Sequence, residues 1–75
     1  MKVIFSRHAK RRAQLYKIPE ITIEDILKNR NFEDGKYELI ERINNFKLPI
    51  KIVISVKNKN IIVITVYPLK KGGKM

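Results

Sequence analysis

The chain has no cysteine, no tryptophan and a single histidine. Without thiols it has neither a disulfide framework nor a thiolate nucleophile. One imidazole and no thiol are too few soft ligands for a zinc site, so no metal and no cofactor are expected. Catalysis by a pair of histidines is excluded as well. No apolar run approaches the ~20 residues of a membrane-spanning helix. The opening MKVIF turns charged too soon for a signal peptide, and the expected location is the cytoplasm. Acids are also scarce: seven against seventeen Lys and Arg, for a net charge of +10 and a sequence pI near 10.2.

What is present describes a folded chain. Hydrophobic content of 44 % with 32 % charged residues belongs to a globular rather than a disordered sequence. Seventy-five residues hold one core and one domain. The reading is a single α+β domain over residues 1–69, followed by a flexible basic tail over 70–75. No acid stands before Glu20 or after Glu41, so both ends of the chain are purely basic. If they meet in the fold they make a positive face that attracts phosphates. A lysine-rich surface kept for solubility alone has the same composition.

KVIFS reads as a short strand with Val3 and Phe5 on one face. Ser6 then stands at an N-cap position. The helix it opens runs to about Lys17 and stops before Pro19, because Ile18 precedes a proline and is disfavoured in α conformation. Ala9, Ala13 and Tyr16 make a narrow core-facing stripe, with His8, Arg12 and Leu15 on the adjacent face. A second helix is expected from Thr22, where Thr22-x-x-Asp25 is like a capping box and Ile21 with Ile26 like a hydrophobic staple. Its buried face is Ile23, Ile26 and Leu27, and Asn29 to Phe32 end it.

After the turn signal Asp34-Gly35 the period falls to two. KYELIERI reads as a strand, NNFKL as a connection and PIKIVISVK as a longer strand. In the last of these, Ile50, Ile52, Ile54 and Val56 alternate with Lys51, Val53, Ser55 and Lys57. Pro49 and the lysines suit an edge or a solvent-facing position. KNKN is a hairpin turn. IIVITVY is apolar on both faces and reads as a central strand covered on both sides. The expected fold is a strand, two helices, then a three-stranded antiparallel meander, with the helices packed on one face of the sheet.

FSRHAKRRAQLYK gathers the candidate chemistry. His8 is the only side chain with an ordinary titration near neutrality, and it stands among basic residues at a helix start. It can serve as an acid or base on a bound polyanion, or as a histidine held by structural hydrogen bonds. Arg12, one turn on, can hold a phosphate beside the imidazole, or reach Glu38 or Glu41 on the sheet. Tyr67, ahead of Pro68 and the Lys70-Lys71 pair, is a base-stacking ring, a phenolic proton carrier, or a core tyrosine with its hydroxyl at the rim. Glu38 and Glu41 differ by three and cannot share a face of a regular strand, so a paired-carboxylate mechanism is unsupported.

Four pieces of the chain resemble one family. They are the run Phe5-Ser6-Arg7-His8-Ala9-x-x-Arg12, Ile18 ahead of an Ile-Glu-Asp-Ile-Leu helix, the Asp34-Gly35-x-Tyr37 turn, and the closing Ile62-Val63-Ile64-Thr65-Val66-Tyr67. The family consists of small bacterial and archaeal domains of unknown function that open with an HA..R helix and close on a strand of this type. It is similar in layout to the BrnT- and RelE-like toxins, whose wider group includes ribonucleases. The resemblance implies an α+β toxin-like fold and RNA-directed activity, and it carries over His8, Arg12, Thr65 and Tyr67 as site residues. Such domains often repeat an arginine one helical turn after Arg12. Here Tyr16 and Lys17 occupy that region, and Lys17 would have to take its role.

The expected function is that of a RelE/BrnT-like RNA-cleaving toxin or a relative of one, a metal-independent endoribonuclease acting through 2′-hydroxyl attack. His8 would move the proton, Arg12 would stabilise the phosphate, and Tyr67 would position a base or supply a proton. Arg7, Arg11, Lys17, Lys70 and Lys71 would hold the RNA. The alternatives are a non-catalytic nucleic-acid-binding module, or a partner for an acidic antitoxin-like protein.

Overall fold

Ser6 decides where strand becomes helix. Strand β1 (Lys2–Phe5) runs into it and helix α1 (Arg7–Tyr16) leaves it. The Ser6 backbone is extended, and its hydroxyl accepts the Ala9 N–H at 3.0 Å, as an N-cap does. The same hydroxyl donates to the Ile64 carbonyl at 2.9 Å, while the Ser6 N–H donates to the Val63 carbonyl at 3.0 Å. One small residue therefore ties the helix start to the last strand. At the other end, Lys17 takes the left-handed conformation at φ 58°. Its N–H returns to Gln14 at 3.2 Å, and that of Ile18 returns to Ala13 at 2.8 Å. This is a Schellman closure with lysine in the position that glycine usually fills, and it turns Ile18 into the core.

The structure, a computed structural model, describes residues 2–43 and 47–69. Part of the expected NNFKL connection and the expected tail at 70–75, with Lys70 and Lys71, lie outside the described residues.

Helix α2 (Glu20–Lys28) begins earlier than the Thr22 signal indicates. Pro19 is its N-cap, in extended backbone, and the Pro19 carbonyl accepts the Thr22 and Ile23 N–H groups. Proline pre-sets the entry conformation, and Glu20 places a carboxylate at the positive end of the helix. Thr22 thus lies inside the first turn rather than capping it. Ile21 is 62 % exposed and is not a staple. The buried face is as read: Ile23 and Leu27 are buried and Ile26 packs partly against them.

Strands β2 (Gly35–Glu41), β3 (Ile50–Lys57) and β4 (Asn60–Pro68) follow. The sheet corrects the expected three-stranded antiparallel meander. It has four strands in the order β1-β4-β3-β2, and β1 pairs with β4 in parallel, so the sheet is mixed. A parallel neighbour needs a long crossover, and everything from α1 to β3 supplies it. β3 lies inside the sheet rather than at its edge; β1 and β2 are the edges. The β3–β4 hairpin closes through Asn58 and Lys59, with φ 53° and 67°. Positive φ at both positions is the type I′ geometry, whose twist matches the strands. Asp34 braces this turn, its Oδ1 accepting the Asn58 N–H at 3.1 Å.

One irregularity sets the faces of β4. Ile54 pairs with Val63 but Val53 pairs with Thr65, which leaves Ile64 as an extra residue. Such a bulge flips the alternation. Ile61 and Val63 before it and Val66 after it are all buried against the helices. Ile62, Thr65 and Tyr67 fall on the other face with Lys51, Val53 and Ser55. β4 is central, but among the described residues it is covered on one side only, not on both.

The core lies between the sheet and the helices. Ile50, Ile52, Ile54 and Val56 line β3's inner face, with Phe5 from β1. Ala9 and Ala13 are 0 % and 1 % exposed, and their small side chains let α1 lie close upon β4. Ile23 and Leu27 bring α2 onto the same cluster. Each fully buried aliphatic side chain contributes about 1.5–3 kcal/mol of transfer free energy.

Candidate nucleic-acid interface

Because α1 is fastened to the sheet through two alanines, every longer side chain on it except Tyr16 points elsewhere. Arg7, His8, Lys10, Arg11, Gln14, Leu15 and the capping Lys17 are exposed, and Arg12 is half-buried. No acid lies in the first turn of the helix, so no carboxylate side chain there offsets the positive end of its dipole. The ion pairs among the described residues are Lys28–Glu24, Arg30–Glu41 and Lys51–Glu38. Glu38 and Glu41 therefore neutralise cations of their own sheet and loop. Among the described residues, no carboxylate pairs with Arg7, Lys10, Arg11 or Arg12. Folded, the chain holds a helix of concentrated, uncompensated positive charge.

Arg12 reaches neither sheet glutamate. Its guanidinium donates to the Tyr16 hydroxyl at 3.3 Å, and Tyr16 in turn packs partly against the core. Tyr16 thereby positions Arg12. The i, i+4 spacing of Arg12 and Tyr16 is the sequence signal for this contact, and the core stripe Ala9, Ala13, Tyr16 does not reveal it. Lys10 is a second residue outside the expected site that the structure places on the same exposed helix. His8 and Arg12 stand one turn apart, with Cβ atoms roughly 5–6 Å from each other. Among the described residues, no hydrogen bond or ion pair fixes the His8 imidazole.

The structure gathers His8, Arg12, Arg7, Arg11 and Lys17 on one helix and puts Thr65 and Tyr67 elsewhere. Tyr67 pairs across the sheet with Lys51, and Thr65 with Val53, on the face turned away from the helices. The sheet lies between Tyr67 and α1. On that far face the Lys51 Nζ is 2.7 Å from Glu38 Oε1. This hydrogen bond to Glu38 raises the Lys51 pKa above its ordinary value, with a further contribution from the neighbouring Tyr67. Lys51 is accordingly a fixed cation, not a neutral amine able to act as a base.

Among the described residues, no helix is long and apolar enough to cross a membrane. No group of His, Asp and Glu side chains there is placed to hold a metal ion. The chain matches no curated protein and no solved structure significantly. A family described as a domain of unknown function, DUF4258, matches residues 5–68, from the end of β1 through the close of β4, and the chain belongs to that family.

Proposed function

We propose that this protein is an RNA-directed member of its family, of BrnT/RelE-toxin-like layout, that grips phosphodiesters along the exposed face of α1. The observation that supports this reading is the charge of that helix. Arg7, Lys10 and Arg11 are exposed, unpaired with any carboxylate among the described residues, and set at the helix N-terminal half. Neutralising such a cluster with phosphates releases condensed counterions, which is the main driving force of non-specific nucleic-acid binding.

A cleaving version rests on His8 and Arg12. In it the imidazole takes the proton of a ribose 2′-hydroxyl, whose oxygen attacks the adjacent phosphorus. The bond to the 5′-oxygen breaks, leaving a cyclic phosphate on one fragment and a 5′-hydroxyl on the other. The leaving oxygen receives its proton from the imidazolium or from water. Arg12, held by Tyr16, faces the charge that builds on the phosphate oxygens. Tyr67, across the sheet, has no part in this arrangement.

The test is a labelled structured RNA incubated with the protein at several salt concentrations, beside His8→Ala, Arg12→Ala and the triple variant Arg7→Gln/Lys10→Gln/Arg11→Gln. For single-stranded RNA the triple variant should flatten the dependence of log affinity on log salt by about 2, from roughly 0.7 per phosphate contact. Cleavage lost in His8→Ala and Arg12→Ala, with circular dichroism unchanged, establishes the catalytic version. Retention without cleavage, indifferent to His8→Ala, establishes the binding module. RNA that binds neither tightly nor salt-dependently returns α1 to a solubilising role.

A further inference from the structure

The sheet has a second face, and no described residue covers it. On it Ile4, Ile62 and Ile40 are 42 %, 40 % and 62 % exposed. Single exposed aliphatic residues are ordinary. Here, however, Ile4 and Ile62 are direct partners across the parallel β1–β4 pair. Val53 and Thr65, paired with each other one row further along β3 and β4, continue the apolar strip. Lysines rim it: Lys2 and Lys57 both flank Asn60, and Lys36 sits opposite Ser55. The one acid among the described residues of this face, Glu38, is already neutralised by Lys51.

We infer that this face docks an acidic amphipathic segment of a partner protein, its apolar side chains on Ile4, Ile62 and Val53 and its carboxylates on Lys2, Lys36 and Lys57. Charge selects the occupant. A second copy of this chain would bring further lysines to the face and no free carboxylate, so self-association there is opposed. RNA is disfavoured for a different reason: among the described residues Tyr67 is the only aromatic ring on the face, and aliphatic side chains offer bases no stacking platform. An acidic amphipathic segment satisfies both the apolar strip and its rim, the pattern of interfaces with an apolar centre and complementary charge around it. An acidic partner, one of the alternatives the sequence offers, is thus assigned to the side opposite α1. This inference does not rest on RNA binding, since the two surfaces are on opposite sides of the sheet.

The probe is a synthetic helical peptide with leucine and glutamate at amphipathic spacing. Its controls are a scrambled peptide of the same composition and a version with lysine for glutamate. Methyl NMR of the full chain reads the site, and calorimetry reads the affinity. The acidic amphipathic peptide should shift the methyls of Ile4, Ile62 and Val53 and leave those of α1 unmoved. Ile62→Thr and Lys57→Glu should each weaken it roughly tenfold, the effect of losing a central contact or reversing a rim charge. Both positions are exposed, and unchanged methyl shifts of the core residues Ile54 and Val63 verify the fold of each variant. The inference fails if the peptide does not bind, if the scrambled peptide binds equally well, or if the shifts gather on α1. It fails equally if RNA moves the same methyls, or if the free chain self-associates in a manner lost in Ile62→Thr.

Discussion

Removing the Ser6 hydroxyl should cost the protein about 2 kcal/mol, more than its size suggests. Two bonds depend on that one oxygen. As the α1 cap it accepts the Ala9 N–H, and loss of a serine cap to alanine typically costs about 1 kcal/mol. As a donor it satisfies the carbonyl of the bulged residue Ile64. That carbonyl has left the regular ladder, and depriving it of a partner in a half-buried place costs about another 1 kcal/mol. For a domain of this size, about 2 kcal/mol corresponds to a fall in Tm of roughly 8–16 °C. Thermal and urea unfolding of Ser6→Ala followed by circular dichroism measures it. Two further variants separate the two bonds. Ser6→Thr keeps both and should stay near the parent. Ser6→Asp keeps the acceptor but cannot donate to Ile64, and should sit about 1 kcal/mol below the parent. It is best measured in high salt, where attraction to the neighbouring arginines is screened. Ser6→Ala within 0.5 kcal/mol of the parent, or Ser6→Asp as stable as serine, would refute the reasoning.

Lys17 holds a left-handed conformation that costs a non-glycine residue about 1–2 kcal/mol, and glycine surrenders about 0.5–1 kcal/mol of that in unfolded-state entropy. Lys17→Gly should therefore raise stability by about 0.5–1 kcal/mol, visible as a higher urea midpoint, and Lys59→Gly in the type I′ turn should act in the same direction. The Lys51 pKa is raised by Glu38 from its ordinary value of 10.5. A raised cationic group stabilises the fold fully below its unfolded pKa and loses that contribution as pH climbs through the folded one. The parent should thus lose stability above about pH 10.5, and Lys51→Met should show a shallower alkaline decline in the same melts.

The parts legible in the sequence were those that a few neighbouring residues determine. Ser6 followed by an alanine stripe marked both the cap and the packed side of α1, and KNKN marked the hairpin. The start of α2 was misplaced because two local signals competed. The Thr22 pattern was the more familiar one, but Pro19 imposes its φ whatever follows, and it fixed the entry. The place of β1 was hidden because its partner stands almost the full chain length away, and alternation in KVIF says nothing of direction. Tyr67 escaped for a subtler reason. Its side of the sheet depends on the extra residue at Ile64, and no composition or periodicity signals which of several similar aliphatic residues will bulge. Were Ile64 paired in the ladder instead of bulged, Tyr67 would fall on the same side as Val63. The helix charge could be counted from the sequence. That Glu38 and Glu41 would be occupied by Lys51 and Arg30, leaving α1 uncompensated, required the register of β2 and β3.

The parallel pairing of β1 also fixes an order of events during synthesis. β1 has one neighbour, and that neighbour is the last strand of the described chain. The N-terminal segment leaves the ribosome first, yet it finds its place only when β4 has emerged and formed its local hairpin with β3. Contacts spanning nearly the entire chain form slowly. Until they do, the first helix, with its cluster of arginines, remains an undocked arm on the nascent chain. The domain is thus completed from its C-terminal end, and a chain cut short before Asn60 loses the docking site of its own first strand.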